Sequence, residues 1–248
     1  MSFRNLQPEK IVDTIVMLER RIAERFPNSS LSRIAHDLYD IGQEAARRSA
    51  RIRRPNIGLR IVVALLIGSI FAFFAVIATR LKLNDELFEL EHFVTSFEAT
   101  ASAAVLVGAA IVFVITLEMR IKRGRALQAI HELRSLAHII DMHQLTKDPE
   151  RITGRGANTA SSPERKMTPF ELGRYLDYCS ELLSLVSKTG AIYVQEFADP
   201  VAIEAVDRLA ALTNDLSRNI WQKIMILEAI VGPEPTPTPS SVDGGEPR

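Results

Sequence analysis

Net charge and cysteine are what this chain of 248 residues most conspicuously lacks. Lys and Arg number 30, as do Asp and Glu. There is thus no global basic field of the kind that holds nucleic acid, and no nucleic-acid partner is expected. The one Cys, Cys179, cannot form an intrachain disulfide, and its place on an apolar stripe suits a small buried residue. A phosphate cradle is missing too. Gly154-Arg155-Gly156 lacks the Gly-Lys-Ser/Thr ending and the preceding strand that such a loop needs. No Ser/His/Asp nucleophile arrangement stands out, so the chain is read as a non-enzyme with no catalytic residue and no cofactor.

The most informative absence is that of charge from two long runs, Ile61 to Thr79 and Ala99 to Leu117. At about 1.5 Å per residue each covers roughly the 30 Å of hydrocarbon in a bilayer, which predicts two transmembrane helices. Soluble core helices rarely run this far without a charge. The first run begins near residue 60 with no short basic segment opening the chain, so it does not read as a secretory signal, and the N-terminal sixty residues should be retained. With 47% hydrophobic and 24% charged residues, most of the chain belongs in water.

Neither run holds an ionisable side chain. Pumps and proton-coupled carriers place such groups at membrane depth, which counts against a transporter working alone. Instead, small residues recur every fourth position: Ala64, Gly68 and Ala72 in the first run, Thr100, Ala104 and Gly108 in the second. Each set falls on one helix face, where the missing bulk lets another helix come close. Flanking charge sets the orientation. Arg47, Arg48, Arg51, Arg53, Arg54 and Arg60 precede the first run, and Arg120, Lys122, Arg123 and Arg125 follow the second. The connection holds only Arg80 and Lys82 against Asp85, Glu86, Glu89, Glu91 and Glu98. By the distribution of basic residues both termini are cytoplasmic and the acidic loop is outside, in what is read as a bacterial inner membrane.

Apolar periodicity organises the remainder. Ile11, Ile15, Leu18 and Ile22 make one amphipathic stripe. After Pro27-Asn28-Ser29-Ser30, Leu31, Ile34, Leu38, Ile41 and Ala45 make a second, with Ser29 or Ser30 as its N-cap. The two predict an antiparallel hairpin. Beyond the second run the stripe continues through Ile121, Leu127, Ile130, Leu133, Ala137 and Ile140, with Gly124 as the weak point. Thr168-Pro169-Phe170-Glu171 is a capping box with Pro at the first helical position. Leu172, Leu176, Cys179, Leu183 and Val186 follow, and Gly190 is placed to stop that helix. Ala191 to Phe197 suits helix or strand. Asp199-Pro200 opens a last helix whose inward face is Val206, Leu209, Leu212, Leu216, Ile220, Ile224 and Leu227.

The expected fold is therefore an all-α membrane protein with two transmembrane helices and a cytoplasmic helical bundle. Its divisions are an N-terminal hairpin (1–57), first span (58–81), external acidic loop (82–98) and second span (99–118). After these come a continuing cytoplasmic helix (119–145), a flexible linker (146–167), a C-terminal helical region (168–230) and a disordered Pro-rich tail (231–248).

Two segments carry a chemical suggestion. His131-Glu132-Leu133-Arg134 resembles the start of the H-box of sensor histidine kinases, a phosphoacceptor helix likewise found downstream of a second membrane span. In that family the acidic neighbour helps activate the His and a Thr-Pro-Leu usually follows. Here Ser135-Leu136 follows, Gly-rich ATP-binding segments are lacking, and too few residues remain for an ATPase domain, so the resemblance implies at most a phosphoacceptor served by another kinase. The same segment offers His131, His138 and Asp141 as metal ligands. His138 and Asp141 share a face, while His131 lies two turns away, about 10 Å along the axis, too far to share one ion. In the loop, Leu83, Leu87, Leu90, Phe93, Val94 and Phe97 alternate with acids. They suit a short helix on the outer membrane surface or, in an oligomer, an acidic ring that attracts cations. The reading that follows is a membrane-anchored scaffold or signalling component. Its partners would be lipid, further copies of itself and an unidentified protein, with a subunit of a two-span cation channel as the alternative.

Overall fold

The computed structural model describes residues 5–53, 57–82, 90–149, 167–195 and 197–232. Among them are six α-helices and no strand: α1 (Pro8–Arg25), α2 (Ser30–Arg53), α3 (Ile57–Lys82), α4 (Leu90–Leu145), α5 (Pro169–Gln195) and α6 (Pro200–Val231). Side chains at 50–57, 59, 60, 66, 73, 74, 77, 78, 80–82, 90–100, 103 and 104 are outside the description. So are most of the expected linker, all but the first two residues of the expected tail, and loop residues 83–89. The remainder of the expected outer loop, from Leu90, forms the first turns of α4.

Local chemistry fixes the helix ends. Pro8 opens α1, and Asn28 takes the positive φ of 56° that turns the chain into α2. Of the two serines offered as a cap, Ser29 serves: its Oγ accepts from the Ser32 N–H at 3.1 Å. The capping box forms at α5, where Thr168 Oγ1 accepts from the Glu171 N–H at 3.2 Å and the Glu171 carboxylate accepts from the Thr168 N–H at 2.8 Å.

Five helices share one hydrophobic core, built from α1, α2, α5, α6 and the C-terminal half of α4. Cross-helix contacts give their directions. Glu19 meets His36 and Ile15 meets Gly42, so α1 and α2 are antiparallel. Gly173 meets Leu227 and Gly190 meets Leu209, so α5 and α6 are antiparallel as well. Arg123 meets Asp199 and Gln144 meets Lys223, so α4 and α6 run parallel.

The centre of the bundle is α5. Its buried residues, among them Tyr175, Leu176, Cys179, Leu182, Leu183, Val186 and Tyr193, wrap more than half of its circumference. Phe26, which ends α1, sets its ring edge-on to Tyr175 at 5.6 Å and to Tyr178 at 6.2 Å. The flank towards α6 is lined by the glycine contacts just described, and Leu133 of α4 lies between the two.

Two sequence expectations are corrected here. Gly190 does not stop α5, which continues to Gln195 and so also makes Ala191 to Gln195 helical. A Cβ at Gly190 would stand 2.8 Å from Leu209 Cδ2, so this glycine marks a close approach of α5 and α6. Ile121 is 39% exposed, not on the buried stripe, because core packing along α4 begins only at Ala126.

Among the described residues the remaining helix, α3, touches only α4. Among the described residues no helix is long and apolar enough to cross a membrane. The uncharged run Ile61 to Thr79 lies within α3 and the run Ala99 to Leu117 within α4, in each case including positions whose side chains are not described. Helix α4 is unbroken through Gly124 over 56 residues, about 84 Å at 1.5 Å per residue.

The two glycines predict opposite responses to substitution. At Gly124 a Cβ would meet nothing within 4 Å, so Gly124→Ala should raise stability by about 0.5–1 kcal/mol through helix propensity alone. Gly190→Leu should lower it by about 1–3 kcal/mol through overpacking. Urea unfolding followed by circular dichroism reads both.

Candidate functional site

The strongest polar contact in the bundle ties the start of α6 to α4. Asp199 is the N-cap of α6, and its Oδ1 accepts from the backbone N–H groups of Val201 and Ala202 at 3.1 Å each. The same carboxylate receives Arg123 of α4: Nε at 3.0 Å from Oδ1, and Nη2 at 2.6 Å from Oδ2. The Asp199 side chain is 1% exposed and that of Arg123 38%. Arg123 and the two N–H groups hold the Asp199 carboxyl below its usual range against the opposing effect of burial. Pro200 follows at N1, where its missing N–H leaves no donor unpaired.

A second bridge closes the far end of the α4–α6 contact. Lys223 Nζ donates to the Gln144 backbone carbonyl at 2.9 Å and to its Oε1 at 2.7 Å. Gln144 is 2% exposed, and its Nε2 donates to Asp141 at 2.7 Å. Burial pushes the Lys223 ammonium below its ordinary pKa and the Cys179 thiol up to about 12. Cys179 is therefore an unreactive core thiol at neutral pH. The two bridges lie 21 residues apart on α4, about 32 Å. They clamp α6 along the helix that carries the second uncharged run.

The basic residues expected at a membrane edge divide. Arg54 lies outside the described residues, as do the side chains of Arg51, Arg53 and Arg60. Arg120 is exposed, Lys122 pairs with Glu118 at 2.8 Å one turn back, and Arg123 holds Asp199. Of the small residues, Ala64, Gly68, Ala72 and Gly108 are exposed, and the Ala104 side chain is not described. A Cβ at Gly68 or Gly108 would meet nothing within 4 Å, so α3 and α4 do not pack through these glycines in a single chain.

His131 and His138 are both exposed on α4. His131 lines a cleft of ≈ 190 Å³ with Arg134, Glu204 and Arg208, the last two paired at 2.6 Å. Glu132, the neighbour that would activate a phosphoacceptor His, stands 3.6 Å from Arg48 of α2. Asp141 is engaged by Gln144, and among the described residues no group of three or more His, Cys, Asp or Glu is arranged to hold a metal ion. Asp85, Glu86 and Glu89 lie outside the described residues, as does the side chain of Glu91. On the outer face of α5 and α6, Ser180, Ser184, Ser187, Thr213 and Ser217 line a furrow of ≈ 260 Å³. Lys188 also lines it and donates to Ser184, with neither imidazole nor carboxylate in the lining.

Both bridges escaped sequence reasoning. Asp199 was legible as a cap but its partner lies 76 residues away, beyond any local pattern. Gln144 did leave a signal: it takes the next place on the stripe of Ile130, Leu133, Ala137 and Ile140, where an amide is out of keeping with its neighbours. No family model, curated protein or solved structure matches the chain.

Asn caps a helix about as well as Asp. Asp199→Asn therefore isolates the ion pair from the cap: it should lower stability at pH 7, and adding Arg123→Gln should cost little more. Asp199→Ala also loses the cap, worth about 1–2 kcal/mol further. Because the folded carboxyl titrates below the unfolded value of about 3.9, its contribution is complete above that pH and disappears as pH falls through the folded value. Denaturant midpoints between pH 2 and pH 7 should thus converge for native and Asp199→Asn proteins at the acid end.

Proposed function

We propose that this is a non-enzymatic integral membrane protein that crosses the bilayer twice, through α3 and the N-terminal half of α4. It presents its five-helix bundle on the cytoplasmic side as a scaffold or signalling component. The supporting observation is the solvent-facing apolar surface of those two segments. Ile61, Val62, Leu65, Phe71 and Val76 on α3, and Val105, Leu106, Val112, Phe113 and Ile115 on α4, are each more than half exposed. At about 1.5–3 kcal/mol per side chain, ten such groups kept in water forgo on the order of 15–30 kcal/mol. A whole domain is stable by only about 5–15 kcal/mol. An apolar surrounding that the chain itself does not supply removes the conflict, and lipid supplies it on every side of a hairpin.

The bundle supports an even number of crossings. Helices before α3 and residues after Leu117 share one core, with Arg21 of α1 at 2.7 Å from Glu181 of α5. Both ends of the α3–α4 hairpin must therefore lie on the same side. The basic flanks and the acidic loop choose the cytoplasm for that side. A signalling role draws on the continuity of α4 and on its two bridges to α6, through which a shift of the span would reach the bundle. The vacant faces at Gly68 and Gly108 suit a second copy.

Single cysteines at Asn84 and Gly156, with Cys179 replaced by Ala, test the topology. In intact cells a membrane-impermeant maleimide should label the Asn84 site and reach the Gly156 site only after lysis. The reverse pattern, or release of the protein from membranes by alkaline carbonate, would overturn it. Self-association predicts that Gly68→Ile or Gly108→Ile lowers the yield of crosslinked dimer while the unfolding midpoint of the bundle stays put. An unchanged yield in both variants would remove the glycine faces from the proposal.

A further inference from the structure

At the end of the bundle remote from the Arg123–Asp199 pair, α5 and α6 leave an open groove of ≈ 440 Å³. Phe170 and Gly173 form one wall, Trp221, Ile224 and Val231 the other, and Gly232 closes its end. Two aromatic side chains stand out of it into solvent, Phe170 at 63% and Trp221 at 55% exposure. A third of the apolar wall, Val231, is 54% exposed. Arg174, Asp177 and Glu228 also line it, and the Arg25 guanidinium of α1 lies 5.3 Å from the centre of the Phe170 ring, so the groove is a partly aromatic trough with a charged rim, open to solvent at Trp221 and Val231.

We propose that its occupant is the chain's own Pro-rich segment, Pro233 to Pro239. Four features point to that occupant. The segment begins at the groove, because Gly232 is itself a lining residue. Gly232 holds φ 76° and ψ 165°, a region essentially closed to residues with a side chain, while its N–H caps the Glu228 carbonyl at 3.0 Å. The helix therefore ends in a sharp change of direction at the groove mouth. The sequence Pro-Glu-Pro-Thr-Pro-Thr-Pro favours an extended polyproline helix, the conformation that seats Pro rings on exposed Trp and Phe faces at small ordering cost. The length also matches. Seven residues at about 3.1 Å each extend about 22 Å, against about 15 Å along α6 from Trp221 to Val231.

Tethering makes weak contact sufficient. A segment joined to its site through no linker experiences an effective concentration in the millimolar range, so a trough of sub-millimolar intrinsic affinity would be largely filled. Nothing in this depends on whether α3 and α4 cross a membrane.

Trp221 is the only Trp in the chain, so it reports directly on its own cover. The full chain and a chain ending after Gly232, both in detergent micelles, are compared by Trp emission and by acrylamide quenching. Truncation removes no described residue, and far-UV circular dichroism checks that the bundle survives. We expect quenching to rise severalfold and emission to move to the red on truncation, and a synthetic peptide of residues 233–241 at millimolar concentration to reverse both. The full-length double variant Pro235→Gly, Pro237→Gly should fall close to the truncated chain, which covers the case in which truncation disturbs folding. Equal quenching in the full and truncated chains would overturn the proposal. So would quenching that falls with protein concentration regardless of the tail, since a second copy would then be the occupant.

Discussion

Everything in the bundle answers to one constraint, the burial of α5. A surface helix shows the core a stripe about 100° wide or somewhat more, whereas α5 buries residues over more than half of its circumference. No single partner can cover that arc. Two flanks must be supplied, one by α1 and α2 through Phe26 and their apolar stripes, the other by α6, with α4 between them. The N-terminal hairpin and the C-terminal helices are thereby bound to one core although the long α3–α4 excursion separates them in sequence. The packing of α5 therefore holds the two ends of the α3–α4 excursion at one bundle.

Polar contacts then fix what apolar burial leaves free. Hydrophobic contact is indifferent to small sliding of one helix past another, and α4 and α6 run parallel over more than twenty residues. Two bridges at the ends of that overlap set the register: a bidentate Arg–carboxylate pair fused to a helix cap, and a lysine that reaches both the main chain and the side chain of Gln144. Neither would be cheap to leave half made, because Asp199 and Gln144 are almost wholly withdrawn from water. They also make α6 a rigid companion of the helix that carries the apolar run.

Much of this was legible before any coordinates. The stripes on α1, α2, α5 and α6 name most of the core, because a helix must bury whatever recurs every three or four residues. The capping box at Thr168 and the Asp199-Pro200 start were equally readable, since both are satisfied within a few residues. What failed was the meaning of Gly190. A glycine after an apolar stripe reads as a terminator, and only the presence of Leu209 reveals it as a contact between helices. The same limit hid the partner of Arg123: its sequence context is a basic cluster, and the buried carboxylate that claims it belongs to another helix.

The shared core imposes an order on biosynthesis. The last residue of α2 leaves the ribosome 116 positions before the first of α5, from 53 to 169. At roughly 5–20 residues per second that interval is about 6–23 s. For that time Ile11, Ile15, Leu18 and Ile22 have only α2 to lie against, while α3 and α4 are being made. The nascent amphipathic pair must be kept from straying until its true counterpart arrives, so maturation of this chain is governed by waiting, and the synthesis of α3 and α4 and the closing of the core are successive acts.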